Sequence, residues 1–247
     1  MGMAKRPYTL LGIGLALAGA GLAPVSHLLL HSTPLTALGI STIILGAICL
    51  ALGRTRPKIP PEVSAILLET GLENIGALVE ELGLRSKAIY LPSSMTGGKP
   101  QALIPLRSNP AYPQINKSLP RRLVVKYGAN PEDIGLLITT PGSASLSLLE
   151  GKPGSSLEEL ESALLAVLIG AMDLADSVRV VMDGEKMRVE VSNPRMESRN
   201  ILLYQCLGSP VASIVASIIA EALGKPLFID SEEYKKGKDI VELKVLQ

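Results

Sequence analysis

From Tyr8 to Gly53 the chain carries no Asp, Glu, Lys or Arg, and nearly all of its charge lies beyond Gly53. Within this oily head one apolar stretch runs from Tyr8 to about Leu30 and a second from Leu35 to Leu52, parted by His31-Ser32-Thr33-Pro34. A helix of roughly 20 apolar residues crosses the ~30 Å hydrocarbon core of a bilayer. Helix is also the natural form there, because it satisfies its own backbone groups. The pattern predicts a transmembrane hairpin. Lys5-Arg6 ahead of an apolar run also fits a signal peptide, with small-residue cleavage sites at Ala18-Gly19-Ala20 and Ala20-Gly21-Leu22-Ala23. A second apolar run following so closely favours the hairpin over cleavage.

Lys5 and Arg6 precede the first stretch, Arg54, Arg56 and Lys58 follow the second, and the link between them has no Lys or Arg. The positive-inside rule then places both ends in the cytoplasm, in a two-helix protein of the cell membrane. The first helix is rich in small residues, with Gly12-Ala16-Ala20 and Gly14-Ala18 spaced four apart. Such rows let backbones approach closely. The tethered second helix, around Gly39 and Gly46, is the favoured partner, and a homodimer through the membrane is the other reading. His27 and His31 share a face if the helix reaches that far. No nearby carboxylate or Cys completes a metal site, so a place at the wet end of the span is expected.

After Gly53 the rhythm changes. Thr55-Arg56-Pro57-Lys58-Ile59-Pro60-Pro61 reads as a stiff linker. Glu62 to about Leu82 has a helical apolar period ending at Gly83, with a break allowed near Gly71. Ala88–Leu91 and Gln101–Leu106 flank Gly97-Gly98 as a β-hairpin. Residues 107–121, rich in Pro, Asn and Arg, read as a loop, and Leu123–Tyr127 and Ile134–Thr139 as strands. Leu157–Ala175 reads as a helix capped by Ser156 with Glu158-Glu159 in its first turn. Val178–Met182 and Met187–Val191 are strands joined at Asp183-Gly184. Ser209 caps a helix with Pro210 at its first position and Gly224 as its stop. Strands at Leu227–Asp230 and Ile240–Leu246 close the chain, with a charged, solvated tip from Asp230 to Lys238. A helix followed by two strands recurs at 62–106, 157–191 and 209–246. The fold class is therefore α+β with antiparallel hairpins. The domain boundaries are 1–56 for the hairpin, 57–61 for the linker and 62–247 for a cytoplasmic domain.

Composition narrows the function classes. Net charge is +1, without the basic excess of a nucleic-acid binder. Cys49 and Cys206 are too few and too separate for a disulfide framework or a zinc site. No His follows His31, so acid–base chemistry in the body would fall to Asp, Glu, Lys or Tyr. No catalytic set and no cofactor motif emerges.

Two segments draw attention. Thr139-Thr140-Pro141-Gly142-Ser143-Ala144-Ser145 follows a strand, and such a loop can hold an anion on backbone N–H groups. It lacks the Gly-Lys-Ser/Thr of a P-loop, and an ordinary tight turn is the simpler reading. Cys206 precedes a helix N-terminus, where a dipole can lower a thiol's pKa, although free Cys is most often buried structure. Gly142, Ser143, Cys206 and Ser209 are the candidates if a pocket exists.

The run from Gly208-Ser209-Pro210 to Gly224-Lys225-Pro226-Leu227, followed by two strands, resembles the end of a vinyl-reductase-type small-ligand-binding domain. Those domains are similar in fold to haem-NO-binding sensors. The family often carries Cys and His in this region. Here Cys206 stands without a His, so binding metal in the family's mode is not implied. The whole chain also resembles uncharacterised archaeal membrane proteins with a short anchor and one cytoplasmic domain. The reading expected is a membrane-held binding module, a sensor or scaffold for a small ligand or protein partner, and not an enzyme. The alternatives are a structural subunit of a larger membrane complex and a thiol enzyme using Cys206.

Overall fold

A computed structural model describes residues 7–55, 61–107, 115, 118–183, 186–196 and 202–246. It divides into two units, Met1–Thr70 and Gly71–Gln247.

In the first unit, α1 (Pro7–Leu28) packs antiparallel on α2 (Thr33–Thr55). Both are long and apolar enough to span a bilayer. On α1 the buried positions are Gly12, Gly19 and Ser26, every seventh residue. Gly39 and Gly46 repeat that spacing on α2, and Gly53 continues it half-buried. A Cβ on Gly19 would lie 2.6 Å from the Gly39 carbonyl, one on Gly39 2.7 Å from Ala23 N, and one on Gly46 2.7 Å from Ala16 N. The seam differs from the four-residue rows expected. It follows Gly12, Ala16, Gly19 and Ala23, while Gly14 and Ala20 face outward. Two long helices that stay in contact keep a repeat near 3.5 residues per turn, so a strict i, i+4 row drifts off the seam. α1 ends at Leu28, and His31 sits in the turn with φ 45°. His27 and His31 therefore share no helical face. A third helix, α3 (Pro61–Glu81), runs unbroken through Gly71.

The second unit is mixed helix and sheet. Its strands are β1 (Ile89–Leu91), β2 (Gln101–Pro105), β3 (Val124–Lys126), β4 (Ile134–Ile138), β5 (Ser177–Asp183), β6 (Lys186–Ser192), β7 (Leu227–Lys235) and β8 (Lys238–Val245). They form one eight-stranded sheet in the order β3-β4-β2-β1-β7-β8-β6-β5, and every neighbouring pair is antiparallel. The joint between its halves is the short pairing of Ile89 and Tyr90 with Phe228 and Leu227.

The helices are α4 (Ser93–Thr96), α5 (Pro141–Ser145), α6 (Leu157–Leu165), α7 (Leu202–Leu207) and α8 (Pro210–Leu223). Ser156 and Glu159 form a reciprocal capping box on α6. The helix expected to reach Ala175 gives way after Leu165 to a π-helical turn over Ala166–Ala171. Met172 N–H bonds to Val167 O across that turn, five residues back. Two short helices stand where turns were expected: α4 occupies the turn before Gly97, and α5 the Thr139–Ser145 segment. α7 fills the approach to Gly208, where no element was expected. The charged tip is smaller than expected, because β7 and β8 continue to a two-residue turn at Lys236 and Gly237, both with positive φ. Gly184 and most of the 107–121 loop lie outside the described residues.

α7 and α8 together read as a third span by length and composition, yet 89% of that window is buried inside the unit. A helix apolar on all sides belongs to a membrane or a deep core, and here the sheet and helices cover it. Residues Pro210–Glu221 are all buried.

The glycine seam makes a prediction. Gly19→Val should destabilise the hairpin by about 1–3 kcal/mol, the usual cost of overpacking. Gly14→Val should be near neutral, since nothing lies within 4 Å of a Cβ there. SDS unfolding of the two variants in mixed micelles checks the contrast.

Candidate functional site

The site grows from α8. Ser209 accepts from Ala212 N at its N-terminus, Pro210 needs no partner there, and Gly224 ends the helix in the left-handed conformation with φ 64°. Its sequence is apolar except for one row, Ser209, Ser213, Ser217 and Glu221, each four residues from the last. That spacing keeps them near one face.

α5 crosses this face. Thr140 and Ser143 form its capping box, with Thr140 N donating to Ser143 Oγ at 3.0 Å and Ser143 N donating to Thr140 Oγ1 at 3.2 Å. A Cβ on Gly142 would stand 2.2 Å from Ser213 O and 2.3 Å from Ser217 Oγ. Glycine is therefore required for the two helices to touch. Thr140 and Ser217 hydroxyls lie 3.4 Å apart. The segment expected as a turn or anion loop is a capped helix whose Ser143 amide is already bonded to Thr140.

One turn further along, Glu221 is buried, and Ser93 donates to it twice, from N to Oε2 and from Oγ to Oε1, each at 2.6 Å. Beside this pair opens a cleft of about 550 Å³. Its walls are the α4–β2 turn with Ser93, Gly98 and Lys99, the β4–α5 corner with Thr139 and Ser143, and the later segment with Ser147 and Lys152. The Lys99 and Lys152 ammonium groups have no ion-pair or hydrogen-bond partner among the described residues. The volume falls within the range of small-ligand sites, roughly 300–1,000 Å³. A second groove of about 580 Å³ shares Lys99 and Thr139 with it. That groove is more apolar, with Ile75, Leu78 and Ile138 on its walls and Arg121 and Arg122 at its rim.

Cys206 and Ser209 lie elsewhere. About 18 Å of helix separates Ser209 from Glu221 at 1.5 Å per residue. Cys206 is buried, its thiol 3.6 Å from Leu84 O. Burial pushes that thiol's pKa up, opposite to what an activated nucleophile needs. Ser209 N donates to Glu232 at 2.9 Å. Nearby, the Tyr90 hydroxyl donates to Leu207 O at 2.5 Å, and burial raises its pKa. Gly208, with φ 75°, lets the chain turn from α7 into α8; a Cβ there would come 2.6 Å from Ile229 Cδ1. Asp239 is buried one step diagonally from Glu232 across β7 and β8. Burial first, and the Glu232 charge second, push its pKa up to about 7.

Of the four sequence candidates, Ser143 alone lines the cleft; Gly142 lets α5 touch α8, and Cys206 and Ser209 lie at the far end of α8. Glu221, Ser93, Lys99 and Lys152 were missed. The signal for Glu221 was present, as the polar member of a four-residue row on an apolar helix. The others come from distant segments and have no local signature. Among the described residues no group of three or more His, Cys, Asp or Glu is placed to hold a metal ion.

The Asp239 environment predicts a pH dependence. Its folded pKa stands above the ordinary 3.8, so between about pH 4 and 7 the unfolded chain binds fewer protons and stability falls as pH rises. Above pH 7 the cost of the buried charge is fully present. Asp239→Asn should raise stability at pH 8 by about 1–2 kcal/mol, a range discounted for partial solvation. The gain should vanish below pH 4. Denaturant unfolding at the two pH values measures it.

A family model described as a domain of unknown function (DUF7982) matches residues 4–244, and the chain belongs to that family. No curated protein and no solved structure gives a significant match.

Proposed function

We infer that this chain is a membrane-anchored binding module, a sensor or scaffold whose second unit takes a small ligand on the cytoplasmic side. The observation that carries this reading is the cleft beside α8, which a buried carboxylate and two lysines without protein partners line together. Charged groups of both signs gathered in one concave site without ion-pair partners suit a polar ligand. The anchor is the α1–α2 hairpin in the lipid bilayer. Its cytoplasmic termini follow from Lys5, Arg6, Arg54, Arg56 and Lys58. The likeness of the C-terminal segment to vinyl-reductase-type domains belongs to the same proposal, as does the recurrence of a helix and two strands as three related units.

A second reading is a structural subunit or homodimer through the membrane. It is favoured by Gly14 and Gly21, which face away from α2 with open space around them. Two such positions on the lipid-facing side leave room for another helix backbone.

Native mass spectrometry of the detergent-purified protein separates the two. A bound molecule of defined mass is the expected result. A ligand-free mass with stoichiometric partner subunits, or a dimer lost in Gly14→Leu, would replace the first reading by the second.

A further inference from the structure

We propose that the cleft beside α8 holds a small organic anion that carries a hydroxyl or amino group, with its acid group on Lys99 and Lys152 and its donor on Glu221. The proposal rests on the binding reading above and names the chemistry of that ligand.

The lining of the cleft carries two kinds of chemistry. It includes two ammonium groups, each with three donors and no described acceptor. They are exposed, so they are hydrated until an anion replaces that water. Glu221, which also lines the cleft, is 9% exposed on a helix that is otherwise core. No cation pairs with it among the described residues, and Ser93 alone bonds to it. Each carboxylate oxygen takes one hydrogen bond from Ser93 and keeps a further lone pair. A buried carboxylate left short of partners is costly, and a hydroxyl or ammonium donor from the ligand would fill that deficit. Thr139 and Ser143 add short polar side chains to the same lining. A purely apolar ligand would strand the lysines and Glu221 without water. A simple cation would meet the two lysines. An anion with no donor would place its charge against Glu221. A hydroxylated or amino acid-type anion fits all three groups.

The test is thermal stabilisation of the full chain in neutral detergent. The probes are glycerol 3-phosphate, glucose 6-phosphate and gluconate, with glycerol, glucose and inorganic phosphate as matched controls. We expect at least one organic anion to bind about tenfold more tightly than both its neutral counterpart and inorganic phosphate, the step that one charge-assisted hydrogen bond supplies. Lys99→Glu with Lys152→Glu, two exposed positions, should abolish binding while leaving the ligand-free melting temperature unchanged. Lys99→Arg with Lys152→Arg should keep it. Glu221→Gln should erase the preference over inorganic phosphate. A parallel titration in phosphatidylcholine nanodiscs with and without phosphatidylglycerol identifies the source. Stabilisation by the anionic lipid, lost in the double Glu variant, assigns the anion to a lipid headgroup, and stabilisation by the free compounds assigns it to solution. Binding of neutral or cationic compounds that the double Glu variant does not change would overturn the anion site and leave the binding module standing. No stabilisation by any compound or lipid would overturn both.

Discussion

The burial of α8 on every side is the constraint from which the second unit follows. Val211, Ile214, Val215, Ile218 and Ile219 are each 1% exposed or less and point around the whole circumference of the helix. Each such side chain stabilises the fold by about 1.5–3 kcal/mol only when it is fully covered. The sheet covers one side through β1, β7 and β8, and α5 and α6 complete the cover. Full enclosure then dictates the details. α5 can come close enough only over Gly142. The polar row Ser213, Ser217 and Glu221 is buried and draws on partners inside the protein. Thr140 and Ser93 supply some of them. The cleft opens where this enclosure ends, at the last polar member of the row.

The same enclosure explains the other end of α8. Its N-terminal amides need acceptors, and Ser209 Oγ and Glu232 provide them. The Glu232 carboxylate lies near Asp239 on the next strand, whose pKa is raised first by its own burial and then by that charge. Tyr90 ties the sheet to the α7–α8 turn through Leu207 O. Cys206 belongs to this arrangement as a small packing residue whose carbonyl receives the Ala88 amide. One helix thus has a structural end, where its orphan amides are satisfied, and an open end, where a carboxylate faces free lysines.

The hairpin follows a different packing rule, one suited to lipid. Gly12, Gly19, Gly39 and Gly46 remove side chains where α1 and α2 touch, because in hydrocarbon close packing rather than expulsion of water holds helices together. Tethering by the short turn makes this contact local. The large apolar residues point outward, which suits helices apolar enough to span a bilayer.

Features set by neighbours in the chain were legible without a structure. The two apolar stretches, the Ser156 and Ser209 caps, the Gly224 stop, the hairpins and the α+β class follow from periodicity and capping, which act over a few residues. What was not legible depends on distant partners. The seven-residue glycine seam emerges only when two helices must stay in register. The π-helical turn after Leu165 and the helical form of Pro141–Ser145 are set by the core packed against them. The site is the clearest case. Ser93, Lys99, Thr139, Lys152 and Glu221 come from separate segments, and none has a motif of its own. By itself the sequence determined an oily hairpin followed by an α+β body, because local hydrogen bonding and the spacing of apolar positions decide those. Tertiary structure alone decided that Cys206 is core and Glu221 borders a cleft, because burial and charge partnership are properties of residues brought together from far along the chain.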